Sequence, residues 1–142
     1  AYNQLIGKGE GIVFLSGFNS DMQGKKALHI EKWAKDNNHS LLRFDYSGHG
    51  QSSGTINTRC FSDWYQDSEY LINKLTHGKQ ILIGSSMGAW IMLMLAKRIP
   101  QKISAIIGLA PAPDFPKLLI WDKMTGDEKR KLIKNKITTI RV

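Results

Sequence analysis

Residues 81–90 read ILIGSSMGAW, in which an apolar run turns through small residues into a second apolar run. Ser86 stands at the centre of a G-x-S-x-G pattern, which is typical of a serine that a sharp strand-to-helix turn exposes. The sequence GQSSG at 50–54 matches the same pattern around Ser52. Because the bare pattern is short, the segments on either side of each serine must decide between them.

Four short runs rich in Ile, Leu and Val alternate with helix-length amphipathic segments. The apolar runs cover residues 11–16, 41–45, 80–84 and 103–110, and the helical patterns cover residues 24–38, 58–77 and 87–98. Short apolar runs bounded by turn residues are typical of strands buried on both faces. The alternation predicts an α/β fold, in which a mostly parallel sheet lies between two layers of helices.

This map separates the two serines. Ser86 directly follows the strand pattern at 80–84 and directly precedes the helical pattern at 87–98, whereas Ser52 lies in the Gly/Ser-rich stretch 46–54. A nucleophilic serine on such a turn needs the strand, the flanking glycines and the helix, whose first N–H groups face developing negative charge. We therefore predict Ser86 as the candidate nucleophile; the simpler alternative is a structural turn between a buried strand and a buried helix.

A serine nucleophile also needs two N–H donors for the oxyanion that forms on the substrate. The residue after the serine supplies one of them, which here is Met87, and a loop after an earlier strand supplies the other. The sequence LSGFNSDMQG at 15–24 is in that place, where Gly17 allows a close approach and Phe18 offers its backbone N–H.

The same loop tests a nucleotide-binding alternative, because a strand, a Gly-rich loop and a helix also describe a phosphate-binding loop. That pattern requires Gly at position 19 and Ser or Thr at position 26. The chain has Asn19 and Lys26, so the pattern fails. Nucleic acid is not predicted as a partner either, because residues 117–142 hold five of the eight net positive charges in what reads as a solvated helix face.

Composition limits the class of protein. A chain of 142 residues is long enough for one domain with a core. Its single cysteine, Cys60, excludes an intramolecular disulfide and a cysteine pair for a metal, and indicates a reducing compartment, so we expect a cytosolic protein. No apolar stretch reaches the roughly 20 residues that span a bilayer. Neither a metal nor an organic cofactor is predicted.

Three motifs together resemble the α/β-hydrolases, and within them the subgroup of mitochondrial acyl-protein (palmitoyl) thioesterases and acyl-glucuronide esterases with their bacterial relatives. The motifs are SGFNSDMQGKKA at 16–27, RFDYSGHGQSSG at 43–54 and GSSMGAW at 84–90. The resemblance implies that Ser86 attacks an ester or thioester, carried either by a small molecule or by an acyl-protein. It also implies that Phe18 and Met87 supply the oxyanion N–H groups. It also implies that Ser52 and His49 belong to a structural turn.

One departure from the family pattern is the order of the triad, in which an acid and then a histidine follow the serine along the chain. All four histidines, at 29, 39, 49 and 77, precede Ser86, and Asp114 is the nearest acid after it. The resemblance therefore implies that the acid and the histidine lie beyond Val142. The alternatives are a truncated, inactive hydrolase fragment or binding module, and a nucleotide-binding α/β domain.

Within a single predicted domain, 1–142, residues 1–110 form the hydrolase core and residues 111–142 resemble the start of a lid inserted after the last strand. The sequence TGDE at 125–128 predicts a capping box, and with it a final helix. The oligomeric state is left open.

Overall fold

The computed structural model describes residues 1–136, apart from the side chain of Leu119. The chain divides into two compact units, Ala1–Ala112 and a second unit that begins at Pro113. The first unit contains the sheet and the second contains short helices. None of the described helices is long and apolar enough to cross a membrane.

Five strands form one sheet in the order β1-β3-β2-β4-β5. The strands are β1 (Tyr2–Leu5), β2 (Gly9–Leu15), β3 (His39–Phe44), β4 (Gln80–Ser85) and β5 (Ile103–Leu109). β2 to β5 run parallel to one another, and β1 pairs antiparallel with β3. The predicted, mostly parallel sheet is confirmed, and each of the four apolar runs forms one of its strands.

The sequence pattern does not predict β1. Its first three residues, Tyr2, Asn3 and Gln4, are exposed, so the segment lacks the apolar run that marks the other strands. Pairing with β3, from Tyr2 opposite Phe44 to Leu5 opposite Leu41, makes this polar segment a strand.

Helix α1 (Lys25–Asp36) covers one face of the sheet. Its Ala27 and Ala34 pack in one buried cluster with Ile12 and Phe14 of β2. Arg43 of β3 is also buried, and its guanidinium contacts the Glu31 carboxylate of α1 at 2.9 Å. Small apolar residues bring the helix close to the sheet, and the ion pair fixes its position along β3.

The helices α2 (Phe61–Leu75) and α3 (Met87–Arg98) contact each other and cover the opposite face. Successive side chains of a strand point to opposite faces, so Val13 and Leu15 are turned away from α1 and are buried on this side. The predicted apolar character of α3 matches its buried face, although Leu93 and Met94 are exposed.

The second unit contains a π-helical turn (Pro116–Ile120), a 3₁₀ turn (Trp121–Lys123) and helix α4 (Gly126–Asn135). The predicted capping box is confirmed, because Thr125 Oγ1 accepts the Glu128 N–H and the Glu128 carboxylate accepts the Thr125 N–H. The backbone N–H and then the hydroxyl of Thr125 lower the pKa of Glu128. The assignment of residues 111–142 to a lid stays a prediction.

Candidate functional site

The backbone of Ser86 forms a sharp turn between β4, which ends at Ser85, and α3, which begins at Met87. Ser86 has φ 52° and ψ −116°, a conformation that residues with a Cβ rarely adopt. Its N–H donates to the Leu109 carbonyl of β5 at 3.0 Å, and its own carbonyl accepts the Ala89 N–H at 3.0 Å. The turn exposes the Ser86 side chain at the carboxyl end of the central parallel strands.

The two glycines of the G-x-S-x-G pattern lie where backbone segments approach closely. A Cβ on Gly84 would lie 2.5 Å from the Cα of Ala89, and one on Gly88 would overlap the carbonyl oxygens of Leu15 and Ser16. Gly84 thus lets α3 fold back directly onto β4. Gly88 lets the first turn of α3 pack against the end of β2.

Residues 16–22, which we call the 16–22 loop, follow β2 and lie next to Ser86. Leu15 of β2 pairs with Gly84 of β4, so both chains leave the sheet side by side. A Cβ added to Gly17 would lie 3.5 Å from the Cβ of Ser86. The structure therefore brings the predicted donor loop to the predicted serine.

The two predicted donor residues have different surroundings. Met87 is buried and occupies the first position of α3, where a helix leaves the N–H without an intrahelical acceptor. Phe18 is 53% exposed, and its ring lies 5.7 Å from the ring of Trp64 and 6.1 Å from that of His49. Met87 directly follows Ser86, and Phe18 follows Gly17, the loop residue that approaches Ser86.

The second serine pattern belongs to the turn at residues 45–52, which follows β3. Ser52 Oγ donates to the Asp45 carbonyl at 2.7 Å, across the base of the turn. Asp45 itself is buried, and its carboxylate accepts the N–H groups of Met22 at 2.6 Å and Gln51 at 2.9 Å. This hydroxyl closes a turn, in contrast with the exposed Ser86.

The 45–52 turn also holds the 16–22 loop at two further points. Tyr46 is fully buried, and its phenol donates to the Ser16 carbonyl at 3.0 Å. Burial raises the pKa of Tyr46 far above its ordinary value, so this donor keeps its proton. His49 Nε2 accepts the Asn19 N–H at 3.2 Å. Sequence reasoning assigned His49 to the turn alone and missed its contact with the loop.

Carboxylates accept two of the N–H groups in the part of the loop where a phosphate-binding protein would hold its ligand. The Met22 N–H donates to Asp45, and the Gln23 N–H donates to the Asp21 carboxylate at 2.8 Å. Negative oxygens on these donors oppose a bound phosphate, which argues against the nucleotide-binding alternative. Among residues 1–136, no His, Cys, Asp and Glu side chains form a group of three or more that could hold a metal ion.

The four histidines, which are the candidates for a base beside Ser86, each have different structural surroundings. His39 begins β3 and stacks on Trp33, and His77 lies just before β4, so both are at the amino end of the sheet, away from Ser86. His29 is an exposed residue of α1, and both ring nitrogens of His49 face backbone groups. In the second unit, the backbone carbonyl of Asp114 accepts the N–H groups of Lys117 and Leu118.

Comparison with known proteins identifies the family. Residues 12–135 match the family profile described as the alpha/beta hydrolase fold. The chain is 46% identical over 114 residues to the mitochondrial palmitoyl-protein thioesterase ABHD10 of Homo sapiens, and this match covers 80% of this chain and 37% of the human protein. The predicted resemblance to this subgroup is confirmed.

Solved structures show the same fold. Alpha/beta hydrolase domain-containing protein 10 from mouse superimposes with a TM-score of 0.86 at 33% identity, and the match covers 99% of this chain and 56% of the mouse chain. A putative hydrolase from Agrobacterium vitis S4 also gives a TM-score of 0.86, at 31% identity, over 94% of this chain and 55% of its own.

These relatives correct one expectation. The rat, bovine and human thioesterases carry a mitochondrial designation in their names, so the expectation of a cytosolic protein is wrong. The physical reason is that a lone cysteine excludes a disulfide framework but does not distinguish one reducing compartment from another.

The length of the match bounds what can be transferred from the relatives. The chain spans 37% of the human thioesterase and about half of each solved structure. The family profile itself covers most of the chain, from within β2 through the serine turn to α4. The chain therefore belongs to the α/β-hydrolase family.

Proposed function

We propose that the chain carries the nucleophile and the oxyanion site of a serine hydrolase that cleaves carboxylic esters or thioesters. The strained backbone of Ser86 is the observation that carries this proposal. A φ of 52° at a residue with a Cβ costs about 1–3 kcal/mol, which surrounding structure must offset. Such strain has a use where it exposes a hydroxyl at the start of a helix, beside a loop that offers a second donor.

The chemistry follows from this placement. Ser86 Oγ attacks the acyl carbonyl carbon, the carbonyl oxygen becomes an oxyanion, and the N–H groups of Met87 and Phe18 donate to it. A histidine takes the serine proton and passes it to the leaving thiol or alcohol, and the acyl group is left on Ser86. Water then attacks this ester, activated by the same histidine, and releases the carboxylic acid.

The histidine base is not assigned to any residue of this chain. His29, His39, His49 and His77 all have the other surroundings described above. We assign the base and its acid partner to the part of the longer relatives that the match does not cover, in keeping with the family order of serine, acid and histidine.

Fatty-acyl thioesters of proteins are the substrate class that we propose. The relatives named palmitoyl-protein thioesterase support this class, because one of them shares 46% of its residues with this chain over 114 positions. Thioesters and esters react through the same tetrahedral oxyanion, so the geometry of the site serves both. The fatty-acyl chain is what distinguishes the proposed substrates from other esters and thioesters.

A non-catalytic acyl-binding protein is the second candidate, and the placement of the four histidines favours it. The two functions differ in turnover. A binding protein would retain an acyl thioester unchanged, whereas a hydrolase would release the free thiol.

Paired alanine substitutions test the proposal in the full-length protein encoded by the gene. Ser86→Ala should lower kcat for a palmitoyl thioester by about 10⁶-fold, because it removes the nucleophile. Ser52→Ala should leave kcat unchanged and lower the free energy of unfolding by about 1 kcal/mol, because the Ser52 hydroxyl no longer donates to the Asp45 carbonyl across the base of the turn. Thiol release is followed with a chromogenic thiol reagent, and unfolding by urea titration. Equal loss of turnover in both variants would show that Ser86 is not the nucleophile.

A further inference from the structure

We propose that His49 is a positioning residue, which holds the 16–22 loop so that the Phe18 N–H points toward the oxyanion. The proposal rests on the serine hydrolase function proposed above and adds a residue to it. His49 comes from the motif around Ser52, which the nucleophile assignment leaves without a role.

The hydrogen bonds of His49 fix its protonation form. Nε2 accepts the Asn19 N–H at 3.2 Å, so in this arrangement Nε2 carries no proton. The proton is then on Nδ1, which faces the Ser47 carbonyl at 3.4 Å. His49 is neutral in this form, and each of its two nitrogens faces a complementary backbone group.

Aromatic neighbours hold the imidazole ring in place. His49 is only 4% exposed, and its ring lies edge-on to Trp64 at 5.1 Å and to Tyr46 at 5.5 Å. Trp64 Nε1 donates to the Ser47 carbonyl at 3.0 Å, so the carbonyl that faces Nδ1 is itself fixed. A ring confined in this way can transmit its position to the loop.

The contact lies next to the predicted donor. Asn19 directly follows Phe18, and the Phe18 ring lies against both His49 and Trp64, at 6.1 and 5.7 Å. Asn19 has φ 54°, in the left-handed region, which asparagine adopts more readily than most other residues with a side chain. His49 Nε2 accepts its N–H and so ties this part of the loop to the 45–52 turn.

The three contacts from the 45–52 turn divide the loop between them. Tyr46 holds its start through the Ser16 carbonyl, Asp45 holds its end through the Met22 N–H, and His49 holds its middle. The middle contact is the one adjacent to Phe18. Loss of the His49 acceptor would therefore loosen the donor while the ends of the loop stay attached.

A pair of amide substitutions isolates the acceptor from the ring. In His49→Gln the side-chain carbonyl can reach the position of Nε2, whereas in His49→Asn it is one methylene shorter and cannot. Both variants lose the aromatic ring, so their packing losses are comparable. His77→Gln, at an exposed residue before β4, is the control for a histidine without this role.

The prediction has two readouts in the full-length protein. His49→Asn should lower kcat about 10- to 100-fold with KM changed less than about threefold, because a misplaced donor weakens only the transition state. It should also speed exchange of the Asn19 amide hydrogen, measured by NMR. His77→Gln should keep kcat and amide exchange near those of the unsubstituted protein. His49→Gln, which keeps the acceptor but loses the ring, should lie between the unsubstituted protein and His49→Asn in both measurements.

Equal values of kcat for His49→Gln and His49→Asn, whether lowered or unchanged, would overturn the proposal, because the acceptor would then not matter. The Ser86→Ala variant tests the underlying function separately. Turnover retained in Ser86→Ala would overturn the proposed function, whereas the Asn19 amide exchange would still decide whether His49 holds the loop.

Discussion

At the scale of single residues, the backbone of Ser86 connects the fold to the proposed chemistry. Its N–H donates to Leu109 of β5, and its carbonyl accepts N–H groups of Ala89 and Ala112 at 3.0 and 3.4 Å. These bonds come from both sides of the turn: from the helix that follows, from β5, and from the segment just after β5. They hold a conformation that the residue would not adopt alone, and they do so at the position that exposes the hydroxyl.

Strain at Ser86 predicts that glycine is the most stable residue there. Glycine adopts φ 52° without a steric penalty, so Ser86→Gly should be about 1 kcal/mol more stable than Ser86→Ala, after the entropic cost of glycine is subtracted. Ser85 is a strand residue and does not have a positive φ. At this position the alanine variant should be more stable than the glycine variant. Urea unfolding of the four variants gives both differences. A Ser86→Gly variant that is less stable than Ser86→Ala would show that the turn is not strained.

At the scale of elements, the site depends on how closely α3 approaches the sheet. Gly88 in the first turn of α3 faces the carbonyl oxygens of Leu15, the last residue of β2, and of Ser16, the first residue of the 16–22 loop. The helix start, the serine and the donor loop are therefore positioned by one backbone-to-backbone contact. A change in this spacing would move the Met87 N–H relative to Ser86.

Gly88→Ala should therefore destabilise the fold by about 2 kcal/mol, because the added methyl would overlap backbone atoms that cannot rotate away. Gly17→Ala is the control, since its Cβ would lie 3.4 Å from the nearest atom, the Ser85 carbonyl oxygen, in ordinary van der Waals contact. The shift in Tm of each variant measures the difference. A Tm for Gly88→Ala as high as for Gly17→Ala would mean that α3 does not approach β2 so closely.

The alternation of apolar runs and helical patterns predicts most of the fold, because buried parallel strands need continuous apolar sequence. It predicts β2 to β5 and the turn at Ser86, but it cannot predict β1, whose residues are mostly exposed and which depends on pairing with β3. The sequence alternation also cannot predict the contacts that Asp45, Tyr46 and His49 make with the 16–22 loop. Their partners lie 23 to 30 residues away, and no local pattern encodes contacts over that separation.

At the scale of the whole molecule, β5 is an edge strand of the described sheet. Ile106 and Ile107 are 42% and 47% exposed, and adjacent strand residues point to opposite faces. Both faces of this strand thus expose apolar side chains, and its outer edge offers backbone hydrogen-bonding groups. An exposed apolar edge strand is a site at which chains associate.

The 142-residue chain should therefore self-associate as its concentration rises, and Ile107→Lys should reduce the association, because a charge on an edge strand opposes pairing. Ile6→Lys makes the same substitution at an isoleucine that is 76% exposed and lies outside β5, and it should have little effect. Sedimentation velocity over a range of concentrations gives the distribution of species. Association that is equal in both variants would place the contact elsewhere.

The identity of the nucleophile is tested most directly by labelling with a fluorophosphonate, which reacts with activated serines. The full-length protein, Ser86→Ala and Ser52→Ala are each treated with the probe, and tandem mass spectrometry locates the modified residue. We predict one label on Ser86 in the unsubstituted protein and in Ser52→Ala, and none in Ser86→Ala. A label on Ser52, or a label that persists in Ser86→Ala, would contradict the assignment of Ser86 as the nucleophile.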